Sequence, residues 1–185
     1  SKLKLLQTIY SNLYINIVIT VQHQNYMYFP KLINDIQDEF KPTAISINLL
    51  RYHSLKSEKL EDYILDSYEK AINEYDKHRN KNSYNFIFNS IIKAKEKNQK
   101  KIILNAARHD KFTTPCSAGK LSYVVMENGD VKPCEILDNV YGNIKKDSFS
   151  SIINNKNTVA SENRNWIKDT KCRCTYECAN STNAL

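Results

Sequence analysis

The sequence predicts a mixed α/β chain in which a strand–helix–strand layer is followed by a smaller α+β part built on a β-hairpin. Three observations lead there. Leu13–Val21 and Ala44–Leu50 are short β-branched runs separated by one amphipathic segment, the pattern of a βαβ unit. Asn128-Gly129 stands between a β-branched, aromatic run and a short return segment, and this dipeptide is the strongest short-range hairpin signal. All five cysteines lie within residues 116–185, and residues 1–115 contain none. We place the division at residues 112–115, giving parts 1–112 and 113–185.

In chain order, residues 2–9 read as the end of a helix. LYINIVITV, residues 13–21, is almost continuously apolar and suits a parallel strand buried on both faces. Gln22–Asn25 form a polar loop. Phe29–Phe40 is expected to be a helix: Pro30 fits its first turn, Leu32, Ile33, Ile36 and Phe40 form one stripe, and Lys41-Pro42 ends it. AISINLL, residues 44–50, is the second strand, so the crossover between the strands is expected to be right-handed. In parallel sheets ligands sit beyond the carboxyl ends of strands. Those ends carry Gln22, His23, Gln24 and Asn25, then Arg51, Tyr52 and His53. Arg51 is a candidate contact for a carboxylate or phosphate, because a guanidinium pairs in a bidentate way. His23 and His53 are weaker candidates for acid–base or metal roles.

A helix is expected from Ser57, as its cap, to about Asp76, with Leu60, Ile64, Tyr68, Ile72 and Tyr75 inward. The polar HRNKNS, residues 78–83, breaks it. A further helix runs from Tyr84 to about Lys97 with Ile87, Phe88, Ile91 and Ala94 inward, and KNQKK interrupts it before IILNAARHD, which we read as helix.

Leu121–Met126 reads as a strand, Asn128-Gly129 as the turn, and Asp130–Lys132 as the return strand stopped by Pro133. Antiparallel strands joined by a tight turn bring their outer ends together, so Cys116 and Cys134 become neighbours. If the chain returns to that end, KCRCTYEC supplies Cys172, Cys174 and Cys178. Between these stretches, residues 140–144 read as a turn, 148–154 as a short helix with Phe149, Ile152 and Ile153 inward, and 158–168 as another helix anchored by Trp166. ANSTNAL reads as a fraying tail. Clustered thiols point to soft metal ligands for zinc or an iron–sulfur cluster. Isolated buried thiols do not explain the clustering, and an odd count speaks against a disulfide framework. Zinc ribbons use Cys-x-x-Cys pairs, which this chain lacks.

The spacing Cys116, Gly129-x-x-x-x-Cys134, Cys174-x-x-x-Cys178 resembles the auxiliary-cluster domain of radical SAM enzymes, called SPASM when it holds two clusters and Twitch when it holds one. CSAGKLSYVVMENGDVKPCEIL, then YGNI, then CRCTYEC follow that pattern across residues 116–185. The resemblance implies an auxiliary [4Fe-4S] cluster on Cys116, Cys134, Cys178 and either Cys174 or Cys172. Two-cluster members carry more cysteines than the five here, so the single-cluster form is expected. The resemblance also makes the two early strands the last ones of a partial TIM-type barrel, with Arg51 near an S-adenosylmethionine and substrate cavity. The catalytic motif Cys-x-x-x-Cys-x-x-Cys is absent, so the expectation is a C-terminal portion of a longer enzyme. In that enzyme a second [4Fe-4S] cluster reduces S-adenosylmethionine to start radical modification of a peptide or small-molecule substrate. An external reductant such as flavodoxin or ferredoxin supplies the electron. The competing reading is a zinc-stabilised, non-catalytic binding module.

Composition narrows the remaining classes. A hydrophobic content of 41% is enough for a core, although the mean hydropathy is −0.57. The formal charge of +7 comes from lysines scattered among glutamates and aspartates, the pattern of solvated helix faces rather than a nucleic-acid patch. No apolar run approaches the roughly 18 residues that a spanning helix needs. A cytoplasmic setting, where thiols stay reduced, is the expectation.

Overall fold

A computed structural model describes residues 2–52, 59–78, 86–154 and 158–184. The fold is mixed α/β, with seven helices and two small sheets among the described residues. It divides into two compact units, residues 1–51 with 59–89, and residues 52–58 with 90–185.

In the first unit, after the helix α1 (Lys2–Ile9) expected there, β1 (Asn16–Val21) and β2 (Ala44–Leu49) pair in parallel from Asn16 opposite Ala44 to Val21 opposite Leu49, with α2 (Phe29–Phe40) as the crossover. Pro30 stands at the start of α2, where its missing N–H costs nothing. Lys41 ends the helix in the left-handed region at φ 47°. Phe29, Ile33 and Ile36 are its buried face, and they meet Ile64, Leu65, Tyr68 and Ala71 of α3 (Asp62–His78) in the core. Leu60 is buried just before α3, and Ser57 and His53 lie outside the described residues.

β1 departs from the expectation of burial on both faces. It begins at Asn16 rather than Leu13, and Asn16, Val18 and Thr20 are exposed while Ile17 and Ile19 are half-buried. Among the described residues its one ladder partner is β2, so its outer edge and one face lack covering layers. β2 alternates instead, with Ile45, Ile47 and Leu49 buried.

α4 (Phe86–His109) is one continuous helix of 24 residues, so KNQKK is no interruption. Lysine and glutamine are good helix formers, and no Gly or Pro breaks the run. Its polar positions dock the C-terminal helix α7 (Glu177–Asn183). Lys95 Nζ donates to Ser181 Oγ at 3.0 Å, Asn98 Nδ2 to the Ala184 carbonyl at 3.3 Å, and Gln99 Nε2 to Glu177 Oε2 at 2.6 Å. Ile91 and Ala94, expected inward, are exposed, and Ile103, Ala106 and Ala107 form the buried stripe. ANSTNAL is therefore no frayed tail: Ala179, Asn180 and Ala184 are buried.

The hairpin is present but shorter than expected. β3 is Val124–Val125 and β4 is Asp130–Lys132, with Val125 opposite Val131. Met126 accepts from the Gly129 N–H at 2.8 Å, and Gly129 has φ +93°, giving a three-residue loop that ends on a left-handed glycine. Residues 140–144, read as a turn, contain a third strand, β5 (Gly142–Asn143), antiparallel to β4. Two residues carry no alternation for a sequence pattern to detect. Asn143 Nδ2 donates to Asp130 Oδ1 at 2.9 Å and to the Asn128 carbonyl at 3.1 Å, locking the turn. These bonds, with that from Asn128, hold the Asp130 carboxyl below its usual range. α5 (Phe149–Asn154) buries Ile152 against Val131 and Tyr141. α6 (Thr158–Asp169) is anchored by Asn163 and Ile167 rather than by Trp166, which stays partly exposed.

A methyl group at Gly129 would lie 2.7 Å from Asn143 Oδ1 and would occupy a left-handed backbone. Gly129→Ala is expected to cost about 1–2 kcal/mol and lower the thermal midpoint by roughly 2–8 °C, measured by circular dichroism.

Candidate metal centre

Three separate stretches deliver the five cysteines to one place. Cys116 precedes a tight loop in which Gly119 N–H donates to the Ser122 carbonyl at 2.8 Å. Cys134 follows Pro133 at the end of β4, so the hairpin brings it beside Cys116. Cys172 follows α6, its N–H donating to the Ile167 carbonyl at 3.1 Å after Lys171 turns the chain at φ 51°. Cys174 lies in the short segment leading to α7, and Cys178 sits in that helix.

All five line one cavity of about 80 Å³, with Tyr123, Val124, Ile136, Leu137 and Ile167 among the residues of its predominantly apolar wall. One water needs roughly 10–15 Å³, so the space suits a larger group. Cys172 packs with Leu137 and Ile167 in an apolar cluster, and Cys116 and Cys134 lie against it. Cys172 and Cys174 are buried, Cys116 and Cys134 half-buried, and Cys178 exposed. Among the described residues, no group of three or more His, Cys, Asp or Glu is arranged to hold a single metal ion. A tetrahedral zinc site would draw sulfurs to about 2.3 Å from one point. Thiols lining one cavity are soft donors of the kind that hold zinc or an iron–sulfur cluster.

Hydrogen bonds aim the site inward. The N–H groups of Ile136 and Leu137 donate to the Cys134 sulfur, and that of Tyr176 to the Cys174 sulfur. Such donors stabilise thiolates and tune a bound cluster. Burial nevertheless outweighs them: Cys134 and Cys174 are raised above the usual thiol range, and burial, with the neighbouring Cys116 and Cys134, pushes Cys172 up to about 12.

The loop carrying Cys174 is pinned by residues that sequence reasoning did not single out. Tyr52 N–H donates to Thr175 Oγ1 at 2.7 Å, and Thr175 N–H donates to the Tyr52 carbonyl at 2.9 Å. Asn180 Nδ2 donates to the Cys174 carbonyl at 2.9 Å. Ser117, next to Cys116, donates its N–H to Asn183 Oδ1 at 2.8 Å and its hydroxyl to Thr182 Oγ1 at 2.6 Å. Position in the sequence gives no sign of Tyr52's role. The acidic Glu177 followed by uninterrupted non-Gly, non-Pro residues was the available signal for α7.

The other candidates lie in the first unit. Arg51 is exposed two residues beyond the end of β2. His23, beyond β1, has Nδ1 3.6 Å from Glu61 Oε2 and 3.5 Å from Tyr63 Oη. His53 lies outside the described residues.

Comparison with known proteins gives one result. Residues 116–179 match the SPASM family, described as an iron–sulfur cluster-binding domain. No curated protein and no solved structure matches the chain significantly. The matched segment opens on Cys116 and takes in every cysteine; over these residues the chain is similar to the SPASM iron–sulfur cluster-binding domain, and the donor set and the cavity fit such a cluster.

Two outcomes follow for the metal-free protein. Alkylation at pH 8 should modify Cys178 first and Cys172 and Cys174 last, and denaturant should abolish the difference; peptide mass spectrometry reads the order. The raised folded-state pKa values mean that the neutral thiols' contribution to stability is complete below the unfolded pKa of about 8.5 and is lost as pH rises towards the folded values. The denaturation midpoint of the metal-free form should therefore fall steadily above about pH 8.5.

Proposed function

We propose that this SPASM domain binds one auxiliary [4Fe-4S] cluster within a radical SAM enzyme. The observation that carries the reading is that five thiols from three separate stretches line one apolar cavity. Cys116, Cys134 and Cys178 are three ligands, and Cys174 is the fourth. Cys174 receives the Tyr176 N–H, and its carbonyl and its neighbour Thr175 are pinned by Asn180 and Tyr52; a thiolate there is held in place before the group arrives. Cys172 serves as apolar packing against Leu137 and Ile167. When bound, the cluster supplies a one-electron donor and acceptor. The chain's own part is to exclude water with the apolar wall, direct N–H groups at two sulfurs, and leave the Cys178 side open to solvent.

The first unit supports the wider context. A two-stranded parallel sheet is small for a structure whose kind is normally covered on both faces. Tyr14 at 66% and Val18 at 58% exposure lie just before and on β1, and further parallel strands of a partial TIM-type barrel would cover them. In this reading Arg51 contacts the carboxylate of S-adenosylmethionine or of a peptide or small-molecule substrate. A second [4Fe-4S] cluster elsewhere in the enzyme starts the reaction, and an external flavodoxin or ferredoxin supplies electrons. A cytoplasmic setting suits the reduced thiols; no described helix is long and apolar enough to cross a membrane.

Anaerobic reconstitution with iron and sulfide tests the cluster. The expected product is brown, with about four irons per chain. Cys116→Ala, Cys134→Ala and Cys174→Ala should lose that iron, and Cys172→Ala should keep it. A colourless protein carrying about one zinc would instead establish the binding-module reading, and iron retained by Cys174→Ala but lost by Cys172→Ala would reverse the fourth-ligand assignment.

A further inference from the structure

Arg173 stands between Cys172 and Cys174 in the chain. With Cys116, Cys172 and Cys174 it borders a second, smaller cavity of about 20 Å³. Its side chain is only 18% exposed. Three contacts fix the guanidinium: Nε donates to Asp110 Oδ1 at 2.8 Å, Nη2 lies 2.5 Å from Asp110 Oδ2, and Nη1 donates to the Lys171 carbonyl at 2.8 Å. Asp110 follows directly on the end of α4 in a left-handed conformation, φ 48°. That geometry is unfavourable for most residues and tolerated by Asp, and it is retained where surrounding contacts over-determine it. Those contacts include the fork to Arg173 and the Tyr52 hydroxyl, which donates to Asp110 Oδ1 at 3.3 Å.

The pair is asymmetric. The guanidinium is largely removed from water, whereas the Asp110 side chain is 53% exposed. Solvent screens the exposed carboxylate more than the sheltered cation, so the two charges do not cancel at the cysteines beside Arg173.

We propose that Arg173, oriented by Asp110, is a positioning residue that raises the reduction potential of the cluster held by the surrounding thiolates. This rests on the cluster reading above. Reduction adds one electron to a site already negative through its thiolates, and a fixed cation stabilises the added charge. Removing the cation disfavours the reduced form. Removing the Asp110 charge while keeping a hydrogen-bond acceptor unmasks the cation and favours the reduced form.

The test is a redox titration of the reconstituted protein with dithionite as the one-electron reductant, followed by electron paramagnetic resonance, with iron counted in each sample. Arg173→Gln should lower the reduced-to-oxidised ratio at a fixed potential about tenfold, equivalent to about 59 mV for a one-electron couple. Arg173→Lys should restore most of that ratio, and Asp110→Asn should move it the opposite way. Shifts of the same sign in Arg173→Gln and Asp110→Asn, or no shift in either at full iron content, would overturn the proposal and leave the cluster reading intact. If Arg173→Gln loads no iron, Arg173→Lys and Asp110→Asn decide: an unmoved potential in Asp110→Asn overturns the proposal. Failure of the unsubstituted protein to take up iron would remove the cluster reading itself, and the inference with it.

Discussion

The short hydrogen bonds from Ser117 to Thr182 and Asn183 are the contact on which the cysteine site depends. Ser117 adjoins the first cysteine, and Thr182 and Asn183 lie in the helix that carries the last. One residue thus joins the start of the hairpin to the end of the chain. Closing so long a loop is entropically costly, though the cost grows only slowly with length. Several contacts offset it: the Ser117 bonds, the Lys100–Glu177 ion pair at 2.7 Å, and the paired hydrogen bonds between Tyr52 and Thr175, one to the Thr175 hydroxyl and one backbone to backbone. The ion pair is about four-fifths buried on both sides, so it is screened less than a surface pair.

Around that closure the chemistry is arranged by burial. The cavity wall is apolar, which keeps the metal-free thiols protonated and neutral. Metal binding must release those protons, so the fold and a bound group are coupled: the wall that favours neutral thiols would also shelter thiolates around a bound group. N–H groups at the Cys134 and Cys174 sulfurs work against the wall's preference and supply the polarity that a thiolate needs. Asp110 and Arg173 add a fixed charge pair beside the same residues, outside the apolar wall.

The first unit obeys simpler rules. A crossover helix with Pro at its start and a left-handed lysine at its end connects two parallel strands, and α3 packs against β2 and against that helix. Its exposed strand edge follows from having two strands rather than several. Tyr75 shows how closely the helix layer is fitted: its hydroxyl accepts from the Ile45 N–H at 3.1 Å, a backbone group at the start of β2.

Local chemistry in the sequence was enough to determine α2, the pairing order of the first two strands, the hairpin at Asn128-Gly129, and the meeting of Cys116 with Cys134. Each rests on neighbours within a few residues or on one tight turn, and short-range sterics decide such features. The cysteine spacing was equally legible, because it is a linear pattern that a family shares. Tertiary structure decided the rest. KNQKK became helix interior and Glu177–Asn183 a packed helix because α4 and the C-terminal segment supply each other's hydrogen-bond partners across some 80 positions of chain, a relation no local window contains. β5 is two residues long and exists because β4 presents an edge to it. Tyr52, Asp110 and Arg173 meet beside the thiols only after the chain has folded, since side chains this far apart in sequence acquire a common electrostatic environment through packing alone.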